Sequence, residues 1–374
     1  MTHFSYEPTR AILDALGNPE NKLKIIHIAG TNGKGSTAEF FTRILISAGK
    51  RVGTFCSPQV YSYYDQFRID GKEIAPQKFK AYRAQAAEQG TASEFELDTA
   101  AAIWAFYKEG CEYAVIECGM GGKWDATNAV RKKELAVITS ISLEHTAYLG
   151  TTLKEICTQK AGIIENCPAI INAHQSEEVK NFFKNCTFAD KIDSIYDGGF
   201  VYDGKPYFLS VMGCLQPYNA ACAIEGAKLL GIDDDAIFRG IKESRPRGRL
   251  ERIQAGGKTY ILDGAHNPAA FEPLNEYLKG ANGNRTIIFG CLGDKDIDGN
   301  LCRLSGREII AVKCPSPRTR SAEEVARHCR KFFKDVKQAE SVSKALEIAD
   351  GEEIIVCGSF TLLKEALEWI EKRQ

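Results

Sequence analysis

His27-Ile-Ala-Gly-Thr-Asn-Gly-Lys-Gly-Ser-Thr37 runs from an apolar, β-branched stretch into glycines, a lysine and a closing pair of hydroxyls, and then into a helical pattern. Each residue type has a chemical use there. Glycines let successive backbone N–H groups curl around a phosphate, and a helix N-terminus adds positive potential. Lys34 would reach the terminal phosphates, and Ser36 or Thr37 would take a phosphate oxygen or a metal ion. The order departs from G-x-x-x-x-G-K-[ST], because Gly35 stands between Lys34 and Ser36. The plain alternative, a glycine-rich strand-to-helix turn that binds nothing, does not account for the lysine. Gly30, Thr31, Asn32, Gly33, Lys34, Gly35, Ser36 and Thr37 therefore form a candidate phosphate loop.

Working outward from the loop, short β-branched runs alternate with longer helical patterns, the βαβ signature of a mostly parallel sheet covered on both faces. The first half predicts strands at Leu23–Ile28, Val52–Phe55, Tyr113–Glu117, Leu135–Ile141 and Ala169–Asn172. Thr37–Ala48 reads as a helix beginning just after residue 36, with Phe40, Phe41, Ile44 and Leu45 on one face and Gly49 placed to end it. Residues 191–211 break the alternation with two extended runs that turn at Asp203-Gly204, as an antiparallel hairpin does. After helical stretches at 217–230 and 234–243, Ser244-Arg-Pro-Arg-Gly-Arg-Leu-Glu-Arg-Ile253 cannot continue a helix. We place the domain boundary there, giving 1–246 and 247–374. The second part predicts strands at Thr259–Leu262, Thr286–Cys291, Glu308–Val312 and Glu353–Cys357. Its helices fall at about 321–336 and 361–372, the first with Ser321 and Glu324 as a capping box.

Composition limits the function classes. The chain has 374 residues, 44% hydrophobic, with 48 Lys+Arg against 49 Asp+Glu. A disordered chain would be poorer in apolar residues, and a dedicated nucleic-acid binder would show a basic excess. At roughly 150 residues per domain, two or three domains are expected. The 13 cysteines are odd in number and contain no C-x-x-C pair, which suits a reducing cytosol better than a disulfide framework or a zinc ribbon. The start, MTHFSYEPTR, lacks an apolar signal core, and no apolar run is long enough for a membrane helix. A cytoplasmic protein that acts on small molecules is expected, without nucleic-acid or membrane partners.

The variant Gly30-Thr-Asn-Gly-Lys-Gly-Ser36 resembles the folylpolyglutamate synthase and dihydrofolate synthase branch of the Mur ligases, whose other branches commonly place Thr or Ser directly after the lysine. Further motifs carry the resemblance in order from about residue 10 to 360. They are Cys56-Ser-Pro58, Ser93-Glu-Phe-Glu96, Glu117-Cys-Gly-Met-Gly-Gly-Lys-Trp-Asp-Ala-Thr-Asn128, Glu144-His145 with Leu149-Gly150, Gln159-Lys-Ala-Gly-Ile163, Gln216 with Asn219-Ala220, Arg247-Gly-Arg-Leu-Glu251, Asp263-Gly-Ala-His-Asn-Pro268 and Asp294-Lys-Asp296. The resemblance implies an α/β protein. Its first domain would be a P-loop-containing doubly wound sheet that binds ATP, and its second a smaller Rossmann-like glutamate-ligase domain.

Glu117 and His145 each lie at or just past the end of a predicted strand, where doubly wound sheets place their ligands. A carboxylate and an imidazole near a triphosphate suit Mg²⁺. Taken alone, Glu117 could equally cap a loop, His145 could be a hydrogen-bonded core residue, and Lys160 would be a solvated helix lysine. By resemblance, Ser57, Glu117, His145 and Lys160 map onto metal ligands, and Lys160 onto a lysine carbamylated by CO₂. Such an amine must be neutral to react, and the resulting anion can bridge to a second metal. The resemblance also implies a monovalent cation, Asn219 on adenine, Arg249 on the nucleotide phosphates and Asp263 on the ribose. His266 and Ser359 would bind the incoming amino acid, and Ser93, Glu94, Phe95, Glu96 and Lys123 the acceptor. As plain alternatives, Arg249 is a linker surface charge and DGAHNP a strand-to-helix turn.

The implied reaction is ATP-dependent amide formation through an acyl phosphate, between L-glutamate and a folate or dihydropteroate. Lys34, Lys160, His145 and Arg249 would be its catalytic groups, in a monomer whose two domains both contribute to the ATP site. Departures from the family pattern gather on the acceptor side: Gln59 after Ser57-Pro58, Gly122-Lys123-Trp124-Asp125 for Gly-Gly-Arg-Leu-Asp, Glu144 for Asp and Arg247 for Pro. Lysine for arginine keeps the charge and loses the planar fork. A Mur-type ligase for a different carboxylate thus stays open, as does a nucleotide-binding regulator. The regulator predicts loss of Glu117, His145 or Lys160, and all three are present.

Overall fold

The computed structural model describes residues 5–280 and 284–373. The chain divides into two compact units. One comprises Met1–Pro58, Tyr64–Ser210 and Leu215–Arg245, and the other Gln59–Tyr63, Val211–Cys214 and Pro246–Gln374.

The first unit is built on eight strands: β1 (Lys24–Ala29), β2 (Val52–Phe55), β3 (Phe67–Ile69), β4 (Lys72–Glu73), β5 (Tyr113–Glu117), β6 (Leu135–Ile138), β7 (Ala169–Asn172) and β8 (Thr187–Ala189). Their order is β4-β3-β2-β5-β1-β6-β7-β8, parallel except for the β2–β3 and β3–β4 pairs. β1 therefore lies between β5 and β6, with His27 opposite Ile116 on one side and Ala136 on the other. Covered on both faces, β1, β5 and β6 are buried from Ile25, Tyr113 and Leu135 onward, as parallel strands require. The helix Lys34–Ser47 is buried on most of its circumference, including Phe40, Phe41, Ile44 and Leu45. It begins three residues before the expected Thr37. Gly33, at φ +89°, turns the chain into the helix early, so Ser36 and Thr37 lie within its first turn.

The expected hairpin is present as β10 (Gly199–Tyr202) and β11 (Lys205–Phe208), with Tyr202 opposite Lys205. A third strand, β9 (Ile192–Tyr196), pairs with β10 to complete a three-stranded sheet. Its exposed, mixed residues left no apolar alternation to read.

The second unit carries β12 (Glu251–Ala255), β13 (Lys258–Leu262), β14 (Arg285–Phe289), β15 (Glu308–Val312), β16 (Asp335–Ala339) and β17 (Glu353–Cys357), ordered β12-β13-β17-β14-β15-β16. Only β12 is antiparallel to its neighbour. Period-2 alternation splits the core. Ile287, Phe289, Ile309 and Ala311 pack under Leu274, Leu278, Val325 and Cys329, while Ile288, Ile310 and Val312 pack under Val342, Leu346, Ala366 and Ile370.

The helix expected over about 321–336 ends at Cys329, and the chain turns to form edge strand β16. Ser321 accepts the Glu324 N–H, but the Glu324 carboxylate pairs with Arg320 instead of returning to Ser321, so half of the capping box is absent. No described helix is long and apolar enough to cross a membrane.

Candidate functional site

The phosphate loop is laced to the segment that follows β6. Thr31 and Asn32 N–H groups donate to Ser140 O, Thr31 Oγ1 bonds Ser142 O and accepts the Ser142 N–H, and Ser140 Oγ donates to Asn32 O. Gly30 makes this approach possible, for a Cβ there would lie 1.8 Å from Thr139 Oγ1, and its φ of +153° disfavours any side chain. Gly30→Ala should destabilise the first unit by about 2–3 kcal/mol and abolish nucleotide binding. Urea unfolding and a nucleotide-induced thermal shift would measure the two effects. Gly33 faces Asn219 in the same way, since a Cβ would come within 2.3 Å of Asn219 Oδ1. Asn219, 5% exposed, is held by Gln216 and Asn172, which places it beside the loop expected to hold the nucleotide.

Two ammonium groups converge on one carbonyl. Lys34 Nζ bonds Gly30 O at 3.3 Å and Thr31 O at 3.2 Å, and Lys160 Nζ bonds Gly30 O at 2.6 Å. Lys160 is 3% exposed, not the solvated helix lysine of the plain alternative. Burial, and then the charge of Lys34, lower its pKa from 10.5 to about 7, with Glu144 offsetting part of the shift. Glu117, 4% exposed at the C-terminal end of β5, places Oε1 3.8 Å from Lys34 Nζ. Gly35 lies alongside, its Cβ position falling at an ordinary contact distance of 3.4 Å from Glu117 Oε2. The Thr37 hydroxyl in the first helical turn is buried without a hydrogen-bond partner.

No three His, Cys, Asp or Glu side chains gather into a metal cage among the described residues. One carboxylate, nearby hydroxyls and a phosphate loop suit Mg²⁺, which keeps waters and takes its remaining ligands from phosphates. The donor set therefore fits a nucleotide-bound divalent ion and not a structural zinc. His145 sits further from a strand than expected, because β6 ends at Ile138. It adopts φ +52° ahead of the short helix Thr146–Leu149, with Nε2 4.0 Å from Glu144 Oε1. Ser57 follows β2 by two residues and is half-buried.

The segments expected to meet the acceptor have structural duties as well. Ser93 and Glu96 form the capping box of helix Glu94–Lys108, the Glu96 carboxylate accepting the Ser93 N–H at 2.7 Å. That explains the polarity of Ser93-Glu-Phe-Glu96 and commits the Glu96 carboxylate, while Phe95 lies against Gly119 and Phe55. Lys123 Nζ sits 5.1 Å from the centroid of the Trp124 ring, which is 45% exposed and nearly parallel to Tyr6. Asp125 is buried and receives N–H groups from Met120 and Thr127, bracing the loop it closes.

In the second unit, the segment before β12 and the loop after β13 gather around Phe360, which follows β17. Arg249 stacks its guanidinium 4.4 Å from the Phe360 centroid, and the His266 ring lies 6.1 Å away on a nitrogen-to-Gly264 carbonyl contact of 2.9 Å. Asp263 is 6% exposed and accepts the Leu250 and Ala265 N–H groups through its two oxygens; burial raises its pKa, against the pull of Arg249. Ser359 is buried and caps the turn at Thr361. Arg249 is thus half-buried against an aromatic ring, not the free linker charge of the plain alternative. Sequence reading missed Thr139, Ser140 and Ser142, which lace the phosphate loop. Their signal was a run of hydroxyls directly after a strand that neighbours β1.

Residues 28–195 match the model of the Mur ligase middle domain, and residues 248–360 that of the Mur ligase, glutamate ligase domain. The dihydrofolate synthase/folylpolyglutamate synthase of Mycobacterium tuberculosis is 33% identical, over 91% of this chain and 80% of its own. A structure of the Mycobacterium tuberculosis folylpolyglutamate synthase complexed with ADP and AMPPCP superposes with a TM-score of 0.89 at 30% identity, covering 98% of this chain and 95% of that one. The Escherichia coli protein in complex with DHPP and ADP gives 0.88 at 29%, covering 99% and 94%. The Yersinia pestis bifunctional folylpolyglutamate synthase/dihydrofolate synthase, with Mn, AMPPNP and L-glutamate bound, gives 0.85 at 27%, covering 99% and 95%. The chain belongs to the folylpolyglutamate synthase and dihydrofolate synthase family of the Mur ligases.

Proposed function

We propose that the protein is an ATP-dependent ligase that joins L-glutamate to the carboxylate of a folate or dihydropteroate, working as a cytoplasmic monomer on small molecules. The observation that carries this is the convergence of Lys34 and Lys160 on the Gly30 carbonyl with Glu117 beside Lys34, within a family whose relatives are solved with nucleotide, DHPP and L-glutamate. Two ammonium groups, Lys160 buried and Lys34 half-buried, held close together make a site prepared for a polyanion.

In the reaction, the acceptor carboxylate oxygen attacks the γ-phosphorus of ATP, the bond to ADP breaks, and an acyl phosphate forms. The glutamate amine then attacks the acyl carbon, loses a proton and displaces phosphate. The phosphate loop cradles the triphosphate with backbone N–H groups, while Lys34 and Arg249 spread the charge of the transferring phosphoryl group. Ser57, Glu117 and His145 would hold Mg²⁺, with Lys160 as a carbamate beside a second ion; bound there, the metals neutralise phosphate charge. Asn219 would meet the adenine, Asp263 the ribose, and His266 with Ser359 the amino acid. Lys123 is the acceptor contact the geometry favours over Glu96, whose carboxylate is occupied by its helix cap.

Trp124 supports a second reading, a ligase for another aromatic carboxylate, because its exposed ring beside Lys123 departs from the family's Arg-Leu. A phosphate-release assay with ATP, L-glutamate and either dihydropteroate or tetrahydrofolate separates the two. Release with one of these acceptors is expected. Release only with a different carboxylate would overturn the folate assignment.

A further inference from the structure

The loop from Gly119 to Asp125 and the helix that carries Lys160, Leu153–Ala161, are held together by contacts that the chemistry above does not require. Two glycines let the backbones meet. A Cβ on Gly122 would lie 2.8 Å from Gln159 O and 2.9 Å from Lys160 O, and one on Gly162 would lie 2.4 Å from Lys123 Cβ. The Lys123 N–H donates to Gln159 O at 2.7 Å. Asn128 spans the same junction, its Nδ2 donating to Lys123 O at 3.2 Å and to Gly162 O at 3.3 Å.

Behind Asn128 stands a group that the mechanism leaves unused. Lys133 is 6% exposed, and among the described residues its one hydrogen bond runs from Nζ to Asn128 Oδ1, at 2.7 Å. Burial lowers its pKa. A buried ammonium without a carboxylate in contact is costly, and a neutral side chain would fill the space more cheaply. What the ammonium does supply is direction. Being a donor only, it fixes which end of the Asn128 amide faces it, and so turns Nδ2 toward both carbonyls at once. An apolar residue at 133 would leave Asn128 Oδ1 without its donor, so that the amide is held only by its two longer bonds to the carbonyls.

We propose that Lys133 is a positioning residue that acts through Asn128 to lock the Gly119–Asp125 loop to the C-terminal turn of the Lys160 helix, so that Lys123 and Lys160 keep one fixed relation. The inference rests on the roles proposed above for Lys123 and Lys160. Its consequence is that placement of the acceptor and placement of Lys160 are coupled, because any slip of the loop moves Gln159 and Lys160 with it.

Lys133→Met should raise the acceptor KM about tenfold and lower kcat several-fold while the ATP KM stays within twofold, since small misplacements at a reacting centre have large effects. Lys133→Arg, which keeps a donor-only cation, should recover most of the loss. Hydrogen exchange should quicken at the Lys123 amide and at residues 161–163 in Lys133→Met, with residues 30–37 unchanged. Asn128→Asp, which turns the two donors into acceptors, should reproduce this pattern if Lys133→Met fails to fold. An acceptor KM within twofold of the parent, or a uniform rise in exchange with both KM values unchanged, would overturn the proposal. A parent protein that turns over no acceptor would overturn the underlying roles instead, and the local exchange contrast then decides the lock by itself.

Discussion

Lys160→Met is expected to lower ligase turnover by at least about 10²-fold at pH 7 and to leave the folded protein as stable as the parent or more so. Active-site and structural roles predict opposite signs here. A structural lysine, removed from a buried hydrogen bond to Gly30 O, would lower stability. Lys160, by contrast, is held where burial and the neighbouring charge of Lys34 press its pKa down from 10.5 to about 7. The unfolded chain binds that proton up to about pH 10.5 and the folded protein only up to about pH 7. The cost is therefore absent above pH 10.5, grows as pH falls and is complete below pH 7. Methionine removes it. The gain over the parent should be on the order of 1–3 kcal/mol at pH 6–7, after allowance for the lost hydrogen bond, and should vanish toward pH 10.5. Urea titrations across that range in bicarbonate-free buffer, with phosphate release measured alongside, would check it. Loss of stability together with activity at every pH would assign Lys160 to structure.

The phosphate loop was legible because its chemistry is local: glycines, a lysine and hydroxyls act within eleven consecutive residues. The strands β5, β7, β15 and β17 were legible for a similar reason, each carrying a short run of consecutive apolar residues buried on both faces. What escaped was set by partners distant in sequence. β9, β12 and β16 are edge strands whose sequences, such as Asp335–Ala339, contain no apolar run, and only pairing makes them strands. Helix Ala322–Cys329 kept helical spacing past its real end, which is decided by where β16 must join β15. In the candidate site, Lys160 looked like a surface lysine until its helix was seen to bring it to Gly30, 130 positions away. Arg249 read as a linker charge until Phe360 supplied its ring. Lys133, in a run of three basic residues, gave no sign that one of them is buried.

Lys34→Met should reduce kcat/KM for ATP by about 10³-fold, larger than the effect of any single acceptor-side change. Lys34 is the only one of the paired lysines that starts the helix, so its ammonium sits at the N-terminal end, where the backbone already favours anions. The charge that develops on a transferring phosphoryl group meets both contributions together. Lys34→Arg should stay severely impaired even though it keeps the charge. The ammonium is fitted to two carbonyl oxygens, Gly30 O and Thr31 O, and to Glu117 at 3.8 Å, and a planar fork cannot reproduce that compact geometry. A second readout separates catalysis from folding. Lys34 is the second cause of the low pKa of Lys160, so its removal should raise that pKa and make the Lys160 amine less available in its neutral form near pH 7. Lys34→Met should consequently fold with parental stability, bind nucleotide weakly and show less CO₂ adduct at Lys160 in intact-mass measurements. Near-parental kcat/KM in Lys34→Met would remove the phosphate-loop assignment and, with it, the ligase mechanism built on that loop.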